Sequence, residues 1–162
     1  KSNYKDWIQG EGAPLMSHNL IRKKVIPQME DNKPTYLIVI DNLRYDQWKI
    51  IEPSVLEDFS VVKDEMYTSI LPTATQYARN AIFCGMLPSE IQKRFPNMWK
   101  NDEDEGGKNM FEAEFLADNL QRLGKGSCKH SYTKITNIEF GRKVVNKISN
   151  MKNNDLNVFF LC

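Results

Sequence analysis

Residues Thr35 to Ile40 form a continuous β-branched and apolar run, Thr-Tyr-Leu-Ile-Val-Ile, that stops abruptly at Asp41-Asn42. A strand with one face in water alternates apolar and polar residues. A run without alternation fits a strand buried on both faces, as in a parallel sheet. The rest of the chain reads as helices and short strands in alternation around this run. Leu20, Ile21, Val25, Ile26 and Met29 recur at helical spacing and predict a helix from about Ser17 to Met29, capped by Ser17 or Asn19. Arg22-Lys23-Lys24 fall on its solvated side. The polar, Gly- and Pro-containing residues 1–14 read as a loop, and Asp31-Asn32-Lys33-Pro34 break the helical pattern.

Beyond the strand, a helix is expected over Asp46 to Glu52, then short strands at Phe59–Val62 and Met66–Ile70. A helix from Gln76 to Cys84 is stopped by Gly85, and Met86 to Glu90 begin a turn and another short helix. Asn101 to Lys108 read as an exposed loop whose acidic run, 102–105, is solvated: adjacent side chains cannot converge on one ion. An amphipathic helix follows over Asn109 to Leu123, with Phe111, Phe115, Leu116, Leu120 and Leu123 inward, ended by Gly124. Residues 125–133 hold a strand, Asn137 to Met151 a helix, and Asn157 to Cys162 a last apolar strand. The alternation predicts α/β layers. Residues 1–30 are a helical segment leading into a domain over 31–162.

The 162 residues suffice for one domain with a core. A net charge of +1 gives no bulk attraction to nucleic acid or anionic lipid. No apolar run approaches the roughly 20 residues of a membrane span, so no membrane insertion is expected. No signal peptide is evident, and the three cysteines lack zinc-site spacing. They read as reduced thiols in a cytoplasmic protein. The chain lacks an initiator Met and ends within an apolar run, so it reads as a piece of a longer protein truncated at its C-terminal end. A truncated sheet exposes an edge, which makes a homodimer an expectation.

In open α/β sheets ligands bind beyond the carboxyl ends of the strands. Asp41 at a strand tip is a hard oxygen ligand suited to Zn²⁺ or Mg²⁺; it equally suits a turn or a helix N-cap. Thr75, at a helix N-terminus, sees free backbone N–H groups and the positive end of the helix dipole. That environment favours a phosphate dianion and a developing alkoxide, and a bound cation can activate the hydroxyl. A plain capping role for Thr73 or Thr75 is the alternative. Arg44 and Arg79 lie near these clusters and suit either substrate phosphate or a structural ion pair. His18 and His130 show no ligand spacing. No Gly-rich phosphate loop is present.

Tyr36-Leu37-Ile38-Val39-Ile40-Asp41-Asn42-Leu43-Arg44-Tyr45-Asp46 and Ser69-Ile70-Leu71-Pro72-Thr73-Ala74-Thr75-Gln76-Tyr77-Ala78-Arg79-Asn80-Ala81-Ile82-Phe83-Cys84-Gly85 together resemble the PglZ domain of the alkaline phosphatase superfamily. Asp6-Trp7-Ile8 and Pro14 to His18 fit as well. The resemblance implies an alkaline phosphatase-like layered sheet with helices on both faces, incomplete in this chain. It implies a phosphodiesterase or phosphatase with two zinc ions in the intact protein. Asp41 matches the metal-binding Asp after the first sheet strand. The nucleophile, which bridges the metals, is Thr75, last in the Pro-Thr-x-Thr pattern of related phosphodiesterases; Thr73 is the alternative. Gly85-Met86-Leu87-Pro88 resembles their Gly-Leu-x-Pro segment, and Asn97 falls near the distance of their phosphate-holding Asn. Asn42 and Arg79 complete the expected substrate contacts. The Asp and His motifs of later strands, which complete the family's site, are absent, so the chain alone is expected to be inactive. The resemblance extends to the output domain of a two-component response regulator serving type IX secretion. It implies a nucleotide or cyclic oligonucleotide substrate, or, without catalysis, docking on a secretion-motor protein or a sigma factor.

Overall fold

The computed structural model describes residues 3–100 and 107–162. The expected acidic loop at 102–105 therefore lies outside the described residues. In chain order the main elements are α1 (Tyr4–Ile8), β1 (Thr35–Ile40), α2 (Tyr45–Val55), α3 (Thr75–Cys84), α4 (Pro88–Arg94), α5 (Glu112–Arg122), β2 (His130–Ile135), α6 (Ile138–Val145) and β3 (Leu156–Leu161). Short 3-10 and π turns at Ser17–Asn19, Ile21–Val25 and Ile26–Gln28 fill the region expected to be helical. The chain divides into two compact units: Lys1–Met29 with Met66–Cys128, and Glu30–Glu65 with Lys129–Cys162.

The second unit is built on a parallel sheet of order β1-β3-β2. The central strand is β3, and its first five residues are buried. Its one polar member, Asn157, is fully engaged: Oδ1 accepts from Ser131 Oγ and Asn154 Nδ2, both at 2.8 Å, and Nδ2 donates to the Met151 carbonyl at 3.0 Å. A buried amide so satisfied does not penalise the core. The strand at 35–40 forms as expected, but burial on both faces is corrected. β1 pairs only with β3 among the described residues, and its burial alternates, with Tyr36, Ile38 and Ile40 exposed. Tyr36 stacks on Phe159 at 6.3 Å between ring centroids. The uninterrupted apolar run that does become the buried centre is the last one.

The first unit packs α3 against α5, with Phe83, Ile91, Phe115, Leu116 and Leu120 buried. α5 carries its apolar residues at helical spacing, as expected, although its ends are Glu112 and Arg122. Two elements differ from the sequence reading. Residues 4–8 form a helix rather than a loop, because Tyr4, Trp7 and Ile8 pack on a buried cluster of Met16, Ile70 and Ala81. The expected strands at 59–62 and 66–70 do not form. Met16 and Thr68 share a single isolated bridge, while Val62 and Met66 are 96% and 95% exposed. β-branched residues make a strand only when a neighbouring strand accepts their backbone groups.

Gly85 ends α3 with φ of +66°, and a Cβ there would meet the Asn119 side chain at 2.6 Å. Asn119 cannot simply withdraw, because its Nδ2 donates to the Phe83 carbonyl at 2.9 Å in the buried α3–α5 interface. Gly85→Ala is therefore expected to destabilise the protein by about 2–4 kcal/mol, from the left-handed backbone and the lost amide contact. The midpoint of urea unfolding measures it; a shift corresponding to less than about 0.5 kcal/mol would contradict the geometry.

Candidate active site

Thr75 is the first residue of α3, and the approach to it is fixed by the first unit's own N-terminal residues. Ser17 Oγ, buried, accepts from the Ile70 N–H at 3.1 Å. The Thr68 N–H donates to the Leu15 carbonyl at 2.8 Å, and the Leu71 N–H donates to Tyr4 Oη at 2.7 Å. Thr68, Ile70 and Leu71, just before Pro72-Thr73-Ala74-Thr75, are thus held by side chains and backbone from residues 4–17. Sequence reasoning missed Tyr4 and Ser17 in this role, since nothing in a polar N-terminal stretch announces a contact more than 50 residues away.

The N-cap of α3 is Ala74, which has no side-chain cap. Neither Thr73 nor Thr75 occupies the capping position. The Ala74 carbonyl accepts from the Tyr77 and Ala78 N–H groups, both at 3.0 Å. The N–H groups of Thr75 and Gln76, in the first turn, have no intrahelical acceptor. Thr75 is half-buried, whereas Thr73 is exposed. The half-buried threonine is the one next to amide donors that have no acceptor within the helix.

Arg79 lies one turn further along the same helix face as Thr75. It is buried and forms a two-pronged ion pair with Glu112 of α5, Nε to Oε1 and Nη2 to Oε2, each 2.7 Å. The parallel donor fork matches the carboxylate. Here the ion-pair reading of Arg79 describes the observed contact. Glu112 is a charged residue at a core-facing position of an amphipathic helix, and that misfit with the pattern was the available signal for a buried partner. Asn80, also buried, donates to the Gln76 carbonyl at 3.0 Å and accepts from Asn109 at 3.2 Å. These contacts lock the first two turns of α3. Asn97 is exposed on the turn at 96–98 of the same unit.

Asp41 belongs to the second unit. It follows β1 directly, and its N–H donates to the Leu161 carbonyl at 2.9 Å, extending the ladder by one residue. Its Oδ1 accepts from the Asn42 N–H at 3.0 Å, and Asn42 takes φ of +58°. The chain therefore turns sharply beyond the strand with the Asp41 carboxylate at the carboxyl edge. The N-cap of α2 is Arg44, whose N–H donates to Gln47 Oε1 at 2.9 Å, so Asp41 does not cap that helix. Arg44 pairs with Asp46 through Nε–Oδ1 at 2.9 Å and Nη2–Oδ2 at 2.6 Å. That guanidinium holds the Asp46 carboxyl below its ordinary range. His130 starts β2 at the opposite edge of the sheet, roughly 16 Å from its carboxyl end by strand rise. Burial pushes the Cys84 thiol up to about 11, so it is an inert core group.

Among the described residues no three His, Cys, Asp or Glu side chains come together as a metal-binding group. Asp41 in the second unit and Thr75 in the first each offer a hard oxygen donor of the kind that suits Zn²⁺ or Mg²⁺, and zinc takes three or four protein ligands. Each by itself fits a zinc site only in part. None of the described helices is long and apolar enough to cross a membrane.

The fold is that of an alkaline phosphatase-like α/β domain, a phosphoesterase-type architecture. Residues 20–161 match the family model of the BREX system PglZ alkaline phosphatase-like domain, and the chain belongs to the PglZ family. A comparison with curated proteins found no match.

Proposed function

We propose that the chain contributes the nucleophile-bearing part of a metal-dependent phosphodiesterase or phosphatase, with Thr75 as the nucleophile. The observation that carries this reading is a half-buried hydroxyl at the head of a locked helix, beside first-turn amides that no side chain caps. Thr75 Oγ1 loses its proton to solvent and attacks phosphorus in line, the P–O bond to the leaving alcohol breaks and that alcohol departs protonated, and water then cleaves the P–Oγ1 bond to restore the threonine, while the N–H groups of Thr75 and Gln76 hold a non-bridging oxygen. Asp41 would hold one of two zinc ions, which when bound would lower the proton affinity of a coordinated oxygen. Asn42, Asn97 and Arg79 are assigned to substrate, Arg79 chiefly by fixing the start of α3 through Glu112. The substrate is a nucleotide or cyclic oligonucleotide. The chain's resemblance to the output domain of a two-component response regulator supports a role in controlling type IX secretion from the cytoplasm.

Asp41→Asn is the test of the metal role. Asparagine keeps an oxygen for the Asn42 N–H, so the turn survives, but the anionic ligand is lost. Zinc affinity of the intact protein, measured by calorimetry, is expected to fall by about tenfold or more. Unchanged affinity would remove Asp41 from the ligand set.

A second reading, an interaction output without catalysis, is favoured by the exposed apolar face of β1. Ile38 is 60% exposed, and with Tyr36, Phe59 and Ile148 it lines an apolar cavity of about 390 Å³ in the second unit. Such a face suits docking on a secretion-motor protein, a sigma factor or a second copy of the chain. Persistence of partner binding and secretion in an Asp41→Ala strain separates this reading from the catalytic one.

A further inference from the structure

The sheet register of the second unit aligns its three strand ends. Ile40, Leu161 and Ile135 sit side by side across β1, β3 and β2. The residues that follow continue the row: the Asp41 N–H donates to the Leu161 carbonyl at 2.9 Å, and the Cys162 N–H to the Ile135 carbonyl at 3.2 Å. Asp41, Cys162 and Thr136 therefore stand along the carboxyl edge. Two inter-strand spacings separate Asp41 from Thr136, roughly 10 Å. This is the edge at which parallel sheets bind ligands.

A cavity of about 890 Å³ opens on the β2 side of that edge. Such a volume falls within the roughly 300–1,000 Å³ of small-molecule sites. Ile135 and Leu161 line it from the strand ends, and Ile138 and Val145 line it from α6. These two helix residues are 75% and 65% exposed, so their aliphatic groups stay uncovered. Thr136 and Arg142 add polar groups to a lining that is otherwise mostly aliphatic, and Arg142 is the one charged residue in it. Among the described residues neither side chain has a hydrogen-bond or ion-pair partner.

We infer that this cavity receives the nucleobase of a substrate whose phosphate is held at Asp41. The inference rests on the reading of Asp41 as a metal ligand and adds to it Thr136, Arg142 and the aliphatic wall as determinants of specificity. The reach is suitable: a metal, a phosphate and one ribose in series span a distance of the order that separates Asp41 from Thr136. The chemistry is suitable as well. A nucleobase has apolar faces for Ile138, Val145 and Leu161, and an edge of donors and acceptors for Thr136 and Arg142. A second phosphate group suits the cavity less, because a single cation lines it.

Calorimetry on the zinc-supplemented intact protein tests this by comparing adenosine 5′-monophosphate with ribose 5-phosphate, which lacks the ring. The nucleotide should bind about tenfold or more tightly. The Ile138→Ser/Val145→Ser variant strips aliphatic groups from the wall and should remove most of that preference. Its affinity for ribose 5-phosphate should stay at the parent value, which also shows that the fold is retained. Equal affinities for the two ligands in the parent, or a preference that the double variant leaves intact, would overturn the cavity assignment without touching the role of Asp41. Asp41→Asn should weaken both ligands by the same factor. If it weakens neither, the anchor at Asp41 fails, and this placement of the ring fails with it.

Discussion

Thr75→Ala in the intact protein is expected to abolish hydrolysis of a phosphodiester such as bis(p-nitrophenyl) phosphate, by about 10⁴-fold or more in kcat. The reason is that no neighbouring hydroxyl can take its place. Thr73 is exposed and precedes the N-cap, so its oxygen is not held beside the first-turn amides. Thr73→Ala should accordingly lower kcat by less than about tenfold. Thr75→Ser keeps a hydroxyl at the same position and should retain most of the rate. The fold should tolerate the alanine, because Ala74 occupies the capping position and alanine is the better helix former. Circular dichroism of the purified variant checks that point. Parent-like turnover in Thr75→Ala would eliminate it as nucleophile, and full loss in Thr73→Ala alone would transfer the role.

Arg79→Met should destabilise the protein by about 3–5 kcal/mol, because it leaves the Glu112 carboxylate buried without its cation. Both side chains are nearly inaccessible, at 10% and 2% exposure, so solvent cannot take over the pairing. Glu112→Leu should cost a similar amount for the mirror reason. The double variant, Arg79→Met with Glu112→Leu, should recover most of the loss, since an apolar pair of similar volume removes both desolvation penalties. Urea unfolding reads all three, with the slope unchanged if only the native state is affected. Near-parent stability of Arg79→Met would show that the guanidinium is not the counterion this geometry requires. The double variant also separates two roles. Activity that returns with stability makes Arg79 a positioning residue for α3; activity that stays lost in a stable protein means that the guanidinium meets substrate.

Several elements were legible because they rest on local chemistry. Gly85 ends α3 since a left-handed residue was needed there, and glycine adopts that conformation without strain. The apolar spacing of Phe115, Leu116 and Leu120 marked the buried face of α5. The strand at 35–40 and the turn at Asp41-Asn42 were readable from β-branched residues meeting turn formers. Asn137 caps α6 by accepting from the Phe140 N–H at 2.9 Å, close to the expected helix start. The helix then ends at Val145 and gives way to a 3-10 turn at Ile148–Asn153, earlier than the apolar pattern indicated. The strand expected within 125–133 falls at His130–Ile135, where it pairs with β3.

What the sequence determined by itself was the type of each strongly patterned segment and the two polar clusters at Asp41 and Thr75, since side-chain period, turn chemistry and helix stops act over a few residues. Only the tertiary structure decided which strand is central, that residues 4–8 form a helix, that 59–62 and 66–70 do not form strands, and that Glu112 claims Arg79. Each of those outcomes depends on a partner distant in the chain. A backbone or charged group takes the state in which its hydrogen bonds and its charge are satisfied, and the residue that satisfies them is fixed by folding, not by its neighbours in sequence.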